Sequence, residues 1–299
     1  MFLTLYSLLA IILFLAFSAY KAAEYAKMPM HGRLDLYPIP KEGGRLEYGG
    51  SYYEELEWWR KPRHVSHGAE IIDMLKEMLF IKKLFDNQRP LWWLSYAFHL
   101  GIYCLMGWTV LLTVLAVAGL NGVAVMGAGA GIILVLKILL GIAGVAGFLL
   151  ALIGSATLLI RRMADGSLRR YTTPQEYFNL LLIFVVLCTG IYAWSLAPSF
   201  DRPLRVMEQA LSLQPLVLSG AGVLHVVLLG IMFFYIPLSK MSHYVGKYFS
   251  FHKVLWDNSP NTPGSAIGKE VEKAAGYRPH TSWSAPHIKG NGATPGKTN

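Results

Sequence analysis

The chain has 299 residues, 54% of them hydrophobic and only 15% charged. Its mean hydropathy is +0.41, whereas a soluble domain carries about 25% charged residues. This excludes an ordinary soluble enzyme and points to an integral membrane protein. The formal charge of +9 lies in loops flanking apolar runs rather than in an aromatic-interleaved basic cluster, so it reads as a topology signal and not as a nucleic-acid footprint. Cys104 and Cys188 fall inside apolar runs, so neither a disulfide framework nor a zinc site is implied.

Residues 1–20 are apolar, lack a leading basic region and are followed by Lys21 and Lys27. They predict an uncleaved first span with its amino terminus outside. Residues 21–90 form a polar cytoplasmic segment that opens with Pro/Gly-rich turns. From Ser66 to Phe85, Ile71, Ile72, Leu75, Met78, Leu79 and Phe85 recur at helical spacing between charged residues, which predicts an amphipathic helix. Its apolar stripe suits a membrane surface or a docking face equally. His31, His64 and His67 in this segment read as solvated.

The second span is predicted over Leu91–Ala118, entered through an aromatic belt of Trp92, Trp93 and Tyr96, and it carries His99. The third covers Val125–Ile160 and contains Lys137. The fourth covers Glu176–Leu196. The fifth runs from Gln214 to His243 as one helix carrying His225 and His243. The connection between the last two, around Asp201, Arg202, Arg205 and Glu208, reads as a solvated loop. The tail, 251–299, is too poor in aliphatics beyond Asn258 to bury a core of its own.

Orientation follows from the basic residues. Twelve Lys/Arg lie in 21–90, four in 161–170 and eight from Lys240 onward; the opposite side holds two. The expected fold is therefore an all-α bundle of five transmembrane helices, amino terminus outside and carboxyl terminus cytoplasmic, in the cytoplasmic membrane.

The histidines within the spans carry the chemistry. An ionisable residue in hydrocarbon is costly unless something uses it. Eighteen positions separate His225 from His243; on a continuous helix they share one face and stand about 27 Å apart, close to the thickness of a bilayer core. With the deduced topology, His99 and His243 lie at matched depth near the cytoplasmic boundary, as two axial ligands of one haem b would. Gly101, Gly107 and Gly246 would let backbone approach a haem face. Lys137 costs about 2.5–3.5 kcal/mol as a charge at mid-span and is the other anomalous residue of the spans.

The FHLG motif (Phe98–Gly101) in the second span, with His225 and His243 in the fifth, resembles the gamma subunit family of respiratory nitrate reductases. These are five-span membrane cytochromes b. The long 21–90 segment and the SWSAPHI stretch (Ser282–Ile288) look more like the branch found in membrane heterodisulfide reductases and sulfite-reductase-linked complexes. The resemblance implies His99 and His243 as ligands of the cytoplasm-proximal haem, and His225 as a ligand of an outer one. In the family the second ligand of the outer haem stands about where Thr109 lies here. His225 thus has three readings: a five-coordinate haem, a haem shared with a ligand such as Met106, or a core histidine. The implied activity is passage of electrons from a membrane quinol, menaquinol or another, through haem b to a cytoplasmic iron–sulfur partner of the heterodisulfide-reductase-like type. Because family members oxidise quinol at an outer pocket, the resemblance makes Lys137 a candidate quinone contact; otherwise it snorkels or pairs with a haem propionate. The alternative is a haem-free membrane anchor or small transporter subunit.

Overall fold

In the computed structural model of the protein, residues 1–28, 56–62, 67–127, 129–252 and 262–276 are described. Two compact units divide the chain: Met1–Arg33 with Val65–Trp256, and Leu34–His64 with Asp257–Asn299. His31, His64, the Pro/Gly-rich stretch at 29–50 and Ser282–Ile288 lie outside the described residues.

The first unit contains α1 (Phe2–Lys27), α2 (His67–Phe80), α3 (Lys82–Asn87), α4 (Arg89–Leu120), α5 (Gly131–Ala164), α6 (Gly166–Tyr171), α7 (Pro174–Ser195), α8 (Asp201–Leu211), α9 (Gly220–Tyr235) and α10 (His243–Ser250). Helices α1, α4, α5, α7 and α9, the last extended by a 3-10 turn to Leu238, are long and apolar enough to cross a membrane. The chain is a multi-pass membrane protein. Apolar side chains such as Val110, Ile132 and Ile142 accordingly stand on the outside of the bundle.

Polar residues at the helix starts supply partners for the free backbone N–H groups. Thr173 and Glu176 form a capping box at α7, and Ser219 Oγ accepts from the Gly222 N–H at the start of α9. The spanning helices pack in the order α4, α5, α7, α9, α1, and α8 lies against α4. Thr4 Oγ1 donates to the Gln214 carbonyl at 2.8 Å, and Tyr6 Oη to that of Val227 at 2.7 Å. Ser18 and Tyr244 share a hydrogen bond of 2.5 Å near the other end. Hence α1 runs parallel to α9.

The closest seam is between α4 and α5. A methyl group at Gly154 would lie 2.6 Å from the Phe98 backbone, at Gly147 2.9 Å from Leu105, and at Gly144 2.8 Å from Trp108. Contacts that climb α4 as they descend α5 mark antiparallel neighbours in small-residue packing. Gly101, expected to face a haem, instead meets Ala151 on this seam. Gly107 has open space beside it, and Gly246 faces the Tyr25 ring.

Three elements differ from expectation. The fifth span is not one helix to His243: α9 ends at Tyr235, Pro237 sits in a 3-10 turn, and Ser239 is extended (φ −115°, ψ 179°) before a second short turn leads into α10. Proline lacks the N–H that the next helical hydrogen bond needs, and it disfavours helical backbone before it. The phase relation between His225 and His243 is therefore not that of a continuous helix. The amphipathic stretch likewise breaks at Ile81, whose backbone is left-handed (φ 51°), and the Glu77 carboxylate accepts the Lys83 N–H just beyond the break. Finally, the connection read as a loop forms α8, which buries Leu204 against Leu112, Leu115, Ala116, Val125 and Leu140.

In the second unit, the described residues form a 3-10 turn at Trp58–Arg60 and α11 (Ala266–Ala275). Ser265 Oγ caps α11 by accepting the Gly268 N–H at 2.9 Å.

Candidate functional site

His99 lies on the third turn of α4, half-buried, with its ring edge-on to Phe98 at 5.3 Å. Its Nδ1 is 2.7 Å from the Ser95 carbonyl oxygen. A carbonyl can only accept, so Nδ1 carries the proton, and in the neutral ring the lone pair is left on Nε2. His243 opens α10, and its Nδ1 stands 3.3 Å from the Lys240 carbonyl, with the same consequence.

The two rings meet. Their centroids are 6.2 Å apart and their planes are inclined at 73°. A metal–nitrogen bond of about 2 Å, with about 1.2 Å more from nitrogen to ring centre, would put two imidazoles on opposite sides of one metal about 6.4 Å apart. Among the described residues no group of three or more His, Cys, Asp or Glu is placed to hold a metal ion. Two imidazoles by themselves suit a metal whose other positions a macrocycle fills, and the donor set fits haem.

Beside His243 lies a cleft of about 620 Å³, lined by Lys21, Tyr25, Ser239, Lys240 and Lys247 among others. Its volume is in the range of small-molecule sites, about 300–1,000 Å³. Each lysine has a carboxylate neighbour: Glu24 2.7 Å from Lys21, Glu77 2.7 Å from Lys247, and Glu176 more loosely at 3.9 Å from Lys240.

His225 is held separately. Its Nδ1 donates to the Val186 carbonyl at 3.1 Å, and Thr189 Oγ1 is 3.3 Å away, so its anchors are on α7. Gly190 makes room for it: a methyl group there would stand 2.9 Å from both the His225 ring and the Phe148 ring. Phe148 in turn packs edge-on against Trp108 at 6.0 Å. Met106 is 63% exposed, and the Thr109 hydroxyl donates to the Leu105 carbonyl of its own helix at 2.9 Å.

Lys137 also has a protein partner. Its ammonium lies 2.7 Å from the Asp201 carboxylate and also donates to the Gly127 carbonyl, while the Gly127 N–H donates to Asp201 at 3.1 Å. The hydrogen bond from Lys137 holds the Asp201 carboxyl below the usual carboxylate range, against the opposing effect of burial. This pair fastens the start of α8 to α5.

Two residues near the histidines, Tyr103 and Lys247, were not singled out in the sequence, and Glu77 and Met78 were read only as part of the amphipathic stretch. Tyr103 Oη donates to the Met78 carbonyl at 2.5 Å, and the Lys247 ammonium donates to Glu77. The available signal was spacing: Tyr103 follows His99 by four residues, and Lys247 follows His243 by four. No family model, curated protein or solved structure matches this chain.

Proposed function

We propose that the protein is a membrane cytochrome b subunit that passes electrons between a membrane quinone pool and a cytoplasmic iron–sulfur partner, with His99 and His243 as axial ligands of one haem b. The observation that carries this proposal is the meeting of the two rings at 6.2 Å, each with its Nδ1 against a backbone carbonyl. Ser95 and Lys240 fix the tautomer and orientation of the two rings, as second-shell carbonyls do for metal-bound histidine. Haem b, when bound, supplies a one-electron carrier whose potential follows its ligands, burial and hydrogen bonds.

The positive-inside distribution favours the side of Lys21, the 161–170 loop and Lys240 as cytoplasmic, in a cytoplasmic membrane. His99 and His243 would then stand near the face where the iron–sulfur partner docks. The quinone, menaquinone or another, comes from the family resemblance, and the relative potentials of quinone and partner set the direction of flow. His225 also has its Nδ1 engaged, leaving Nε2 free for a second haem iron. Lys137 has Asp201 as its partner, so in this proposal it serves α8 in place of a quinone.

Reduced-minus-oxidised absorbance spectra with pyridine haemochrome quantitation on the purified protein test this assignment. The expected result is a b-type α-band, with one haem per chain lost in both His99→Ala and His243→Ala. A second haem lost only in His225→Ala would add an outer centre. Purified protein without haem would sink the cytochrome reading and leave the haem-free anchor.

A further inference from the structure

The two histidines share a support that lies on neither of their helices. Tyr103 is one turn beyond His99 on α4, and Lys247 one turn beyond His243 on α10, so each lies on the same helical face as its histidine. The Tyr103 hydroxyl is held by the Met78 carbonyl at 2.5 Å, and the Lys247 ammonium by the Glu77 carboxylate at 2.7 Å. Glu77 and Met78 are consecutive residues of α2. One turn of a third helix therefore grips both histidine-bearing helices at equivalent points.

The grip is well anchored. The Glu77 side chain is only 7% exposed, and its second oxygen accepts the Lys83 N–H at 2.8 Å. Two turns earlier on α2, Glu70 pairs with His252, and at its last residue the Phe80 carbonyl accepts from the Trp92 indole at 2.7 Å. Eight residues following the extended Ser239 are too few to hold α10 in place by themselves, so it relies on its neighbours: α1 holds it through Ser18 and Tyr25, and α2 through Lys247.

We propose that Glu77 and the backbone of Met78 are the positioning group of the histidine pair, and that α2 sets the separation and mutual angle of His99 and His243. This rests on the reading of that pair as haem ligands. Glu77 touches no ligand atom; it acts through Lys247.

The test uses the full-length protein in membranes, with Glu77→Gln, Glu77→Asp, Tyr103→Phe and, as a control, Lys82→Gln on the exposed surface. The measurements are haem per chain, midpoint potential and the low-spin ferric electron paramagnetic resonance signal. Glu77→Gln and Tyr103→Phe are expected to shift the potential and broaden the signal. Glu77→Asp should recover part of the change, and Lys82→Gln should match the parent protein. Wild-type potential and signal in Glu77→Gln would overturn the proposal. Haem loss from Glu77→Gln supports it if amide exchange in α7 is unchanged; if α7 also opens, Tyr103→Phe decides by the same spectral criteria. If the parent protein holds no haem, the ligand assignment fails. The positioning claim is then decided by amide exchange over 243–250: faster in Glu77→Gln supports it, unchanged overturns it.

Discussion

Lys137 shows how a charge is kept within an apolar helix. Its ammonium sits near the start of α5, where the Asp201 carboxylate and the Gly127 carbonyl reach it. Charge-assisted hydrogen bonds contribute about 1.5–3 kcal/mol, so a double-mutant cycle of Lys137→Met and Asp201→Asn is expected to give a coupling of about 1–3 kcal/mol in unfolding measurements. The folded-state value of Asp201 is depressed, so its stabilisation is present above the ordinary carboxylate value of about 3.9 and is lost as pH falls through the folded value. The protection factors of the α8 amides, taken against the intrinsic exchange rate at each pH, should therefore be constant near neutrality and fall below about pH 4 in the parent protein, while Asp201→Asn loses this acid-dependent fall. Lys137 stood out in the sequence because a lysine in GIILVLKILLG is anomalous, but its partner lies 64 residues away, beyond reach of any local pattern. His99 was legible for the same reason, and its pairing with His243 followed from matched depth. Glu77, Tyr103 and Lys247 were not legible, because each is ordinary in its own segment and acquires its role only where three helices meet.

The α4–α5 seam depends on the absence of side chains at a few positions. Gly154→Ala would put a methyl group against the Phe98 backbone, one residue before His99, where only helix separation can relieve the overlap. That variant is expected to lose about 1–3 kcal/mol of stability, the range for overpacked cores, and to disturb His99. Gly107→Ala, on α4 with open space beside it, is expected to be neutral or slightly stabilising, since alanine favours helix over glycine by about 1 kcal/mol. Thermal melts of the two variants in one detergent compare them directly. Span positions were readable because twenty apolar residues have few other fates. Internal breaks were less so. Pro237 in IPLSK marked where the fifth span would leave the α-helix, yet the 3.6-residue period was carried across it. Likewise Leu204, Met207 and Leu211 are spaced for a helix, but the charges among them made that stretch read as solvated chain.

Sidedness is a property of the molecule as a whole. In a background with Cys104 and Cys188 replaced by serine, Ser212→Cys is expected to react with a membrane-impermeant maleimide on intact cells, and Ser167→Cys only after the cells are opened. The reverse pattern would invert the topology drawn from the basic residues. The packing order of the bundle also has a consequence in time. The closest-packed pair, α4 and α5, consists of sequence neighbours that can associate as soon as both have emerged, whereas α1 packs on α9 through contacts such as Tyr6 with Val227, 221 residues apart. Helix α1 must therefore wait in the bilayer for α9. His99 waits similarly for His243, 144 positions later, which at about 5–20 residues per second is an interval of about 7–29 seconds. The pair is completed only once all five spanning helices have been made, so any group held between the two rings is captured after them, with α2, made before either histidine, already available to receive them.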